Sequence, residues 1–276
     1  MNDPLSALSA PPPRYLLESD SSDEEGQGAY PGSAPASRPK IQPDQPPVTV
    51  TLPTSGTVEG AVVAIGQAGR FLLKHLPGPT GSEGVIKIGD DKVGVIRAFE
   101  NELVVLVDDG DLSHENVWAI ANKLVQDIQS PQWTTLSSYV PAMYIAKAKS
   151  SHLDPPVRFI SSSSSSQKTE VQGAERYDPP NYISGLAGAF LTLSALPTTS
   201  LQSTTTILLP LPLSRLAISY LSTPLSSSSP FIASLLKGRR SQWTEDDDEP
   251  YSAPGMGRVR GARHGHVAGE GVGMYT

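Results

Sequence analysis

The sequence contains no cysteine among its 276 residues. This absence excludes disulfide bridges, thiolate metal sites, iron–sulfur clusters and cysteine nucleophiles together, and it fits a reducing compartment. The sequence also lacks an uninterrupted run of about 18 apolar residues, the length that a spanning helix needs. Its first residues lack the basic stretch and apolar run of a secretory signal. We therefore expect a soluble protein of the cytoplasm and nucleus with no membrane partner.

Positive charge is also scarce, with 21 Lys and Arg against 28 Asp and Glu and a net charge of −7. A generally basic nucleic-acid surface is therefore not expected. The five histidines are scattered, and no Gly-x-Ser-x-Gly elbow surrounds a serine. The pair His264 and His266 stands in a glycine-rich stretch without the further ligands that a closed metal site requires. We predict no catalytic, cofactor-binding or metal-binding residues, and hence no enzyme.

Composition divides the chain into three parts. Residues 1–46 are rich in proline, serine and acid, and we expect them to be disordered. Residues 47–238 carry the apolar patterns of a folded core, with a low-complexity loop near 161–180. Residues 239–276 begin with an acidic run and continue as a glycine-rich stretch with several arginines. We expect this last part to be a flexible tail.

Short strands dominate the first half of the core. Val48–Leu52 alternates in the period of a half-buried strand, and Gly60–Ile65 is apolar throughout, as in a central strand. Three further runs, separated by tight turns, indicate hairpins: Val85–Ile88, Lys92–Ala98 and Leu103–Val107.

Helices and strands alternate in the second half. Ser113 is a candidate N-cap for a helix whose apolar residues recur from Val117 to Ile128. A second helix is predicted over Ile183–Leu196, and the intervening and following strands are Trp133–Tyr139, Val157–Ile160 and Thr204–Leu209. Leu216–Tyr220 and Phe231–Leu236 indicate pieces of a final helix interrupted by Pro224 and serines. The predicted fold class is α/β: a single domain with a mixed β-sheet flanked by helices and with disordered N- and C-terminal tails.

Two patterns could indicate an enzyme that acts on phosphates or nucleosides. Gly66-Gln67-Ala68-Gly69 follows a buried strand but lacks the three-glycine fingerprint, so we interpret it as a turn, with Pro77 and Pro79 stopping any helix early. Asp108, Asp109 and Asp111 could hold Mg²⁺ or activate water. We favour a structural interpretation, in which these carboxylates stabilise the start of the following helix.

The last part of the chain offers other binding hypotheses. Arg258, Arg260 and Arg263 could contact RNA, which would make the chain an RNA-binding adaptor. Trp243 stands in the predicted tail and could dock on a partner, whereas Trp118 and Trp133 are predicted to be core residues.

The final residues, Met274-Tyr275-Thr276, form a hydrophobic-Tyr-any motif. A terminal carboxylate can be captured by a lysine or by backbone N–H groups of a pocket, and the tyrosine adds apolar surface with a hydroxyl group. The motif follows a stretch with the composition of a flexible linker. We therefore predict that these three residues bind a partner.

Together these features resemble the proteasome assembly chaperone 1 family in its fungal form. In the core, the helix sequence Asn116–Asn122 and the strand sequence Trp133–Tyr139 are the most similar to that family. The resemblance implies a heterodimer with a second chaperone subunit, which binds the α-ring of the proteasome core particle and promotes its assembly. It also implies that Met274 and Tyr275 enter a pocket between α-subunits, that Thr276 meets a pocket lysine, and that occupancy blocks premature activator docking.

Overall fold

The computed structural model describes residues 46–53, 58–78, 81–110, 112–146, 154–163, 170–196, 199–201 and 203–249. The predictions for the N-terminal segment, apart from Pro46, and for residues 250–276 lie outside the described residues. Within the described ranges, a single sheet contains nine strands in the order β1-β3-β4-β5-β2-β6-β9-β7-β8. The strands are β1 Val48–Thr51, β2 Gly60–Ile65, β3 Gly84–Ile88, β4 Asp91–Phe99, β5 Glu102–Val107, β6 Gln132–Tyr139, β7 Arg158–Ser163, β8 Glu175–Arg176 and β9 Ser203–Pro210.

The centre of the sheet is parallel and most of its flanks are antiparallel. β2 pairs in parallel with β5 and β6, and β6 pairs in parallel with β9. Hairpins add β4 and β3 on one side, where β1 pairs antiparallel with β3, while β7 runs antiparallel to β9 on the other. The predicted mixed sheet is confirmed. β7 extends through Ser163, so the sheet continues further into the serine run than the sequence indicated.

Helices cover both faces of this sheet. They are α1 Gly66–His75, α2 His114–Asp127, α3 Gly185–Ala195, α4 Ser219–Leu225 and α5 Pro230–Leu236. Ala61, Val63 and Ile65 of β2 pack with α2 and α3 in one core cluster. Val62 and Ala64, which point the other way, pack with α1, α4 and α5 in a second cluster. The result is a three-layer α/β domain, so the predicted fold class is confirmed.

Helix α1 is the main element that the sequence interpretation missed. Gly66 adopts a positive φ of 53°, which fits the predicted glycine turn, but it is also the first residue of a ten-residue helix. A Cβ on Gly69 would collide with Leu106 and would lie 2.7 Å from the carbonyl oxygen of Ala64. Position 69 therefore requires glycine, because the helix lies directly on the sheet. Gly69 allows this close packing and does not interrupt the helix.

The other helices follow the predictions more closely. The hydroxyl of Ser113 accepts a hydrogen bond from the backbone N–H of Asn116 at 3.3 Å, as predicted for an N-cap. The final predicted helix is two short helices, and α4 runs through Pro224 to Leu225 instead of ending before it. In the described part of the chain, no helix combines the length and the apolar character that a bilayer crossing requires.

Replacing Gly69 with alanine tests the contact between α1 and the sheet. The added methyl group meets backbone that cannot move freely, so we expect Gly69→Ala to lower the free energy of unfolding by about 1–3 kcal/mol. Gly78→Ala is the matched control, because a Cβ there has no neighbour within 4 Å. Urea unfolding of both variants checks this expectation, and equal stabilities would contradict the close packing of α1.

Candidate functional site

The predicted binding residues Met274, Tyr275 and Thr276 lie outside the described residues, as do Asp111, His264 and His266. The structure instead brings other groups together at one edge of the sheet. Since β5, β2, β6 and β9 run in the same direction, their carboxyl ends meet at this edge. In open α/β sheets, this is the edge where ligands usually bind.

The acidic residues at the end of β5 make structural contacts. A carboxylate oxygen of Asp108 lies 3.3 Å from Nη1 of Arg70 on α1. Oδ2 of Asp109 accepts a hydrogen bond from the backbone N–H of Leu186 at 3.5 Å, at the start of α3. Both carboxylates therefore make structural contacts, as we interpreted them, although this hydrogen bond of Asp109 reaches α3 rather than the following helix α2. The described residues contain no group of three or more His, Cys, Asp or Glu side chains placed to hold a metal ion.

Glu102 is a buried carboxylate that sequence reasoning overlooked. It lies at the opposite end of β5, where its oxygens accept hydrogen bonds from the backbone N–H groups of Phe231 and Ile232 at 3.1 and 3.2 Å. Burial raises the pKa of this carboxyl, and the two backbone hydrogen bonds counteract the rise. A raised pKa at a buried acid can mark a catalytic group. Here both oxygens accept hydrogen bonds from backbone N–H groups in the first turn of α5, so Glu102 attaches that helix to the sheet.

A cavity of about 480 Å³ opens at the carboxyl ends of β6 and β9. Its volume lies within the range of small-ligand and peptide sites, roughly 300–1,000 Å³. Asp154 and Arg215 are its charged lining residues, and neither makes an ion pair with another described residue. The remaining lining is mostly proline and aliphatic, and it includes Val140, Pro141, Pro156, Leu211, Pro212, Leu216 and Tyr220.

A tyrosine cluster surrounds a buried arginine beside this cavity. The guanidinium of Arg158 stacks 3.7 Å from the ring centroid of Tyr144, and the side chain of Arg158 is only 6% exposed. Tyr139 donates a hydrogen bond to the carbonyl of Pro156 at 2.6 Å, and Tyr177 packs against both other tyrosines. Burial raises the pKa of Tyr139 to about 12, so its hydroxyl stays protonated. This cluster fixes the segment that forms one wall of the cavity.

Residues 239–249, assigned by the sequence to the tail, pack on α1 instead. Trp243 is only 7% exposed, and its ring lies edge-on to Phe71 with centroids 5.5 Å apart. Lys74 sits over the same ring at 5.6 Å and pairs with Asp247 at 2.6 Å. The hydrogen bond from Lys74 lowers the pKa of Asp247 to about 2. The hypothesis that Trp243 docks on a partner is wrong, because its ring is buried in its own chain.

Asp248 joins this segment to two other elements. Oδ1 accepts hydrogen bonds from Nε2 of Gln67, Nε1 of Trp243 and the backbone N–H of Leu213, at 3.1, 2.9 and 3.0 Å. Oδ2 accepts a hydrogen bond from the backbone N–H of Ser214 at 3.2 Å. Hydrogen bonds to an ionised carboxylate are about twice as strong as neutral ones. Asp248 therefore ties α1, the 3₁₀ turn at 213–215 and Trp243 together.

His75 uses both ring nitrogens, one to bind the same segment and one within α1. Nε2 accepts the backbone N–H of Gln242 at 2.9 Å, and Nδ1 lies 2.7 Å from the carbonyl oxygen of Phe71. This pattern requires the neutral ring with its proton on Nδ1. Burial lowers the pKa of His75, and the neighbouring Lys74 and Arg239 add to that effect.

These contacts could be found in the sequence only in part. Trp243 beside a run of acids gave a signal of ordered structure, since a lone tryptophan is unusual in a disordered tail. The signal was outweighed by the surrounding charge of Glu245–Glu249. The partners of Asp248 and His75 are distant in sequence, so no local pattern announces them.

No protein-family model matches the sequence, and no curated protein matches it significantly. Several solved structures resemble its architecture. PbaB of Pyrococcus furiosus, described as an archaeal proteasome activator, shares 13% identity at a TM-score of 0.43, over 68% of this chain and 90% of PbaB. PbaA of the same organism, described as an archaeal homolog of proteasome-assembly chaperone, shares 14% identity at a TM-score of 0.40, over 69% and 86% of the two chains.

A third similar structure is a Thermoplasma acidophilum protein of unknown function, with 11% identity, a TM-score of 0.41 and coverage of 68% of this chain and 85% of the other. The structural neighbours thus include archaeal proteasome-assembly chaperone homologues. At these identities and TM-scores, the resemblance establishes neither a family nor a function for this chain.

The docking of residues 239–249 should depend on pH through His75. Because burial lowers its pKa in the folded state, His75 contributes stability that is complete above its unfolded pKa of about 6.5. That stability is lost as the pH falls below this value. Protonation of His75 at Nε2 places its N–H against the backbone N–H of Gln242 and removes the acceptor. We expect the stability difference between the wild type and His75→Gln to shrink as pH falls from about 7.5 to 5.5.

Urea unfolding followed by the fluorescence of the three tryptophans measures this difference at each pH. His264→Gln is the matched control, because it makes the same change of side chain in the glycine-rich stretch beyond the described residues. A stability difference between wild type and His75→Gln that stays constant across this range would exclude the neutral-histidine contact.

Proposed function

We propose that this chain is a non-enzymatic assembly chaperone of the proteasome core particle. In this proposal it pairs with a second, related chaperone subunit and binds the ring of α-subunits in the cytoplasm and nucleus. Met274, Tyr275 and Thr276 enter a pocket between α-subunits, and their occupancy blocks premature docking of activators. The proposal applies to a chain in which Thr276 carries the C-terminal carboxylate.

The observation that carries the proposal is the Met274-Tyr275-Thr276 sequence after a glycine-rich stretch, on a chain with an α/β core. The architectural resemblance to PbaA and PbaB is compatible with it but, at their TM-scores, does not carry it. The described residues add support of another kind: the acids that a phosphate-handling enzyme would need, Asp108 and Asp109, are engaged by Arg70 and α3.

The anchoring of residues 239–249 sharpens the proposed geometry. The sequence alone indicated a flexible tail over residues 239–276, but Asp248 and Glu249 are bound to the core. A flexible stretch over residues 250–273 would have an end-to-end distance of roughly 27 Å. The motif would therefore search a volume centred on the carboxyl edge of the parallel strands.

The small size of the motif limits the binding free energy that it can contribute. Its roughly 28 non-hydrogen atoms give a ceiling near −8 kcal/mol at about 0.3 kcal/mol per atom, which is a Kd of about 1 μM. Durable binding to the α-ring therefore requires contacts from the folded core, or from the partner subunit, that raise the effective concentration of the motif.

Tyr275→Ala tests the proposed motif. Loss of the ring removes the largest apolar group of the motif, so we expect affinity for purified α-subunit rings to fall at least about tenfold, and more when residues 274–276 are deleted. Biolayer interferometry with the immobilised full chain measures the affinity, and Tyr30→Ala is the matched control at the other end of the chain. Undiminished binding of Tyr275→Ala would reject the proposed docking by the motif.

A further inference from the structure

The cavity at the ends of β6 and β9 has the character of a peptide groove. Its lining is mostly proline and aliphatic, and it includes Tyr220, a residue that is 48% exposed. Grooves that combine an aromatic ring with apolar walls suit extended, proline-containing peptides, whose backbone is stiff before binding. The cavity is also open to solvent.

The described chain ends beside the wall of this cavity. Asp248 accepts hydrogen bonds from the backbone of Leu213 and Ser214. These two residues stand between Pro212 and Arg215, which both line the cavity. Glu249 then pairs with Arg70 at the same edge of the sheet. The residues that follow therefore start within a few residues' reach of the groove, with no linker to cross.

Those following residues are Pro250-Tyr251-Ser252-Ala253-Pro254. They form an uncharged stretch directly after the acidic run that ends at Glu249. Two prolines favour an extended conformation, and Tyr251 supplies an aromatic ring with a hydroxyl that can donate a hydrogen bond. The carboxylate of Asp154 on the cavity wall, which forms no ion pair with another described residue, is an acceptor for such a donor.

We propose that residues 250–254 fold back into this cavity, with Tyr251 as the anchor against Tyr220 and the proline walls. Such a short peptide binds weakly when free, but here it is joined directly to a residue fixed at the cavity wall. Its effective concentration is then in the millimolar range or above, which compensates for weak intrinsic affinity. The fold-back would move the departure point of the tail from Glu249 to the mouth of the cavity. It goes beyond the proposed function and does not require that function to be correct.

Disulfide trapping in the full chain tests the fold-back without background, because the chain has no cysteine. The reporter pair combines Ser252→Cys with Ala142→Cys, an exposed position in the cavity lining. The comparison pair combines Ser252→Cys with Glu245→Cys, which is exposed outside the cavity. Oxidation rates of both pairs are measured with and without the further substitution Tyr251→Ser.

If residues 250–254 occupy the cavity, Tyr251→Ser slows the 252–142 disulfide by about tenfold or more, because the anchor is lost. The 252–245 disulfide should then keep its rate or form faster. Tyr220→Ser should act like Tyr251→Ser, whereas Arg240→Ala, an exposed position away from the cavity lining, should have no effect.

Two outcomes would overturn the assignment. The first is that Tyr251→Ser changes the rate of the 252–142 disulfide by less than about twofold, or that it slows both disulfides equally. The second concerns another proline-rich stretch, Pro11-Pro12-Pro13. If replacing these three prolines with serine unmasks Ala142→Cys to a thiol reagent while Tyr251→Ser does not, the N-terminal segment is the occupant. Neither outcome involves the α-ring, so failure here is separate from failure of the proposed function.

Discussion

The complete burial of β2 is the constraint on which the rest of the structure depends. Every residue from Gly60 to Ile65 is buried, with alternate side chains entering different core clusters. A strand with two apolar faces requires cover on both, so helices must lie on each side of the sheet. It also requires strands on both edges, which β5 and β6 supply. The parallel centre, the two helical layers and the shared carboxyl edge all follow from this one strand.

Helix α1 connects this constraint to the end of the folded chain. One side of the helix lies so close to the sheet that Gly69 has no room for a side chain. Its other residues bind the segment 239–249 through Phe71, His75 and Gln67. The helix thus connects the central strand with the residues that precede the tail. Any process that displaces α1 would also release the origin of the tail.

The amino-acid sequence was sufficient to predict most elements with strong periodicity and little of the site. Val117 to Ile128 and the runs at 60–65 and 133–139 were recognisable because their packing follows local repeats. Helix α1 was missed because Gly66, Gly69, Pro77 and Pro79 suggest breaks, whereas the glycines satisfy contacts with residues far along the sheet. The contacts of Asp248 and the cavity arise from segments that meet only after folding, and no local pattern encodes them.

The hydrogen bonds of Asp248 have a mechanical consequence. A force applied to the chain beyond residue 249 loads several neighbouring contacts together. They are the hydrogen bonds of Asp248 to Leu213 and Trp243 and the ion pair of Glu249 with Arg70. Because these contacts attach to α1 and to the 213–215 turn, the load is divided between two elements and does not peel one strand from the edge of the sheet. A force on the tail would thereby be transmitted to α1 and to Leu213, which belong to the same core cluster of the domain.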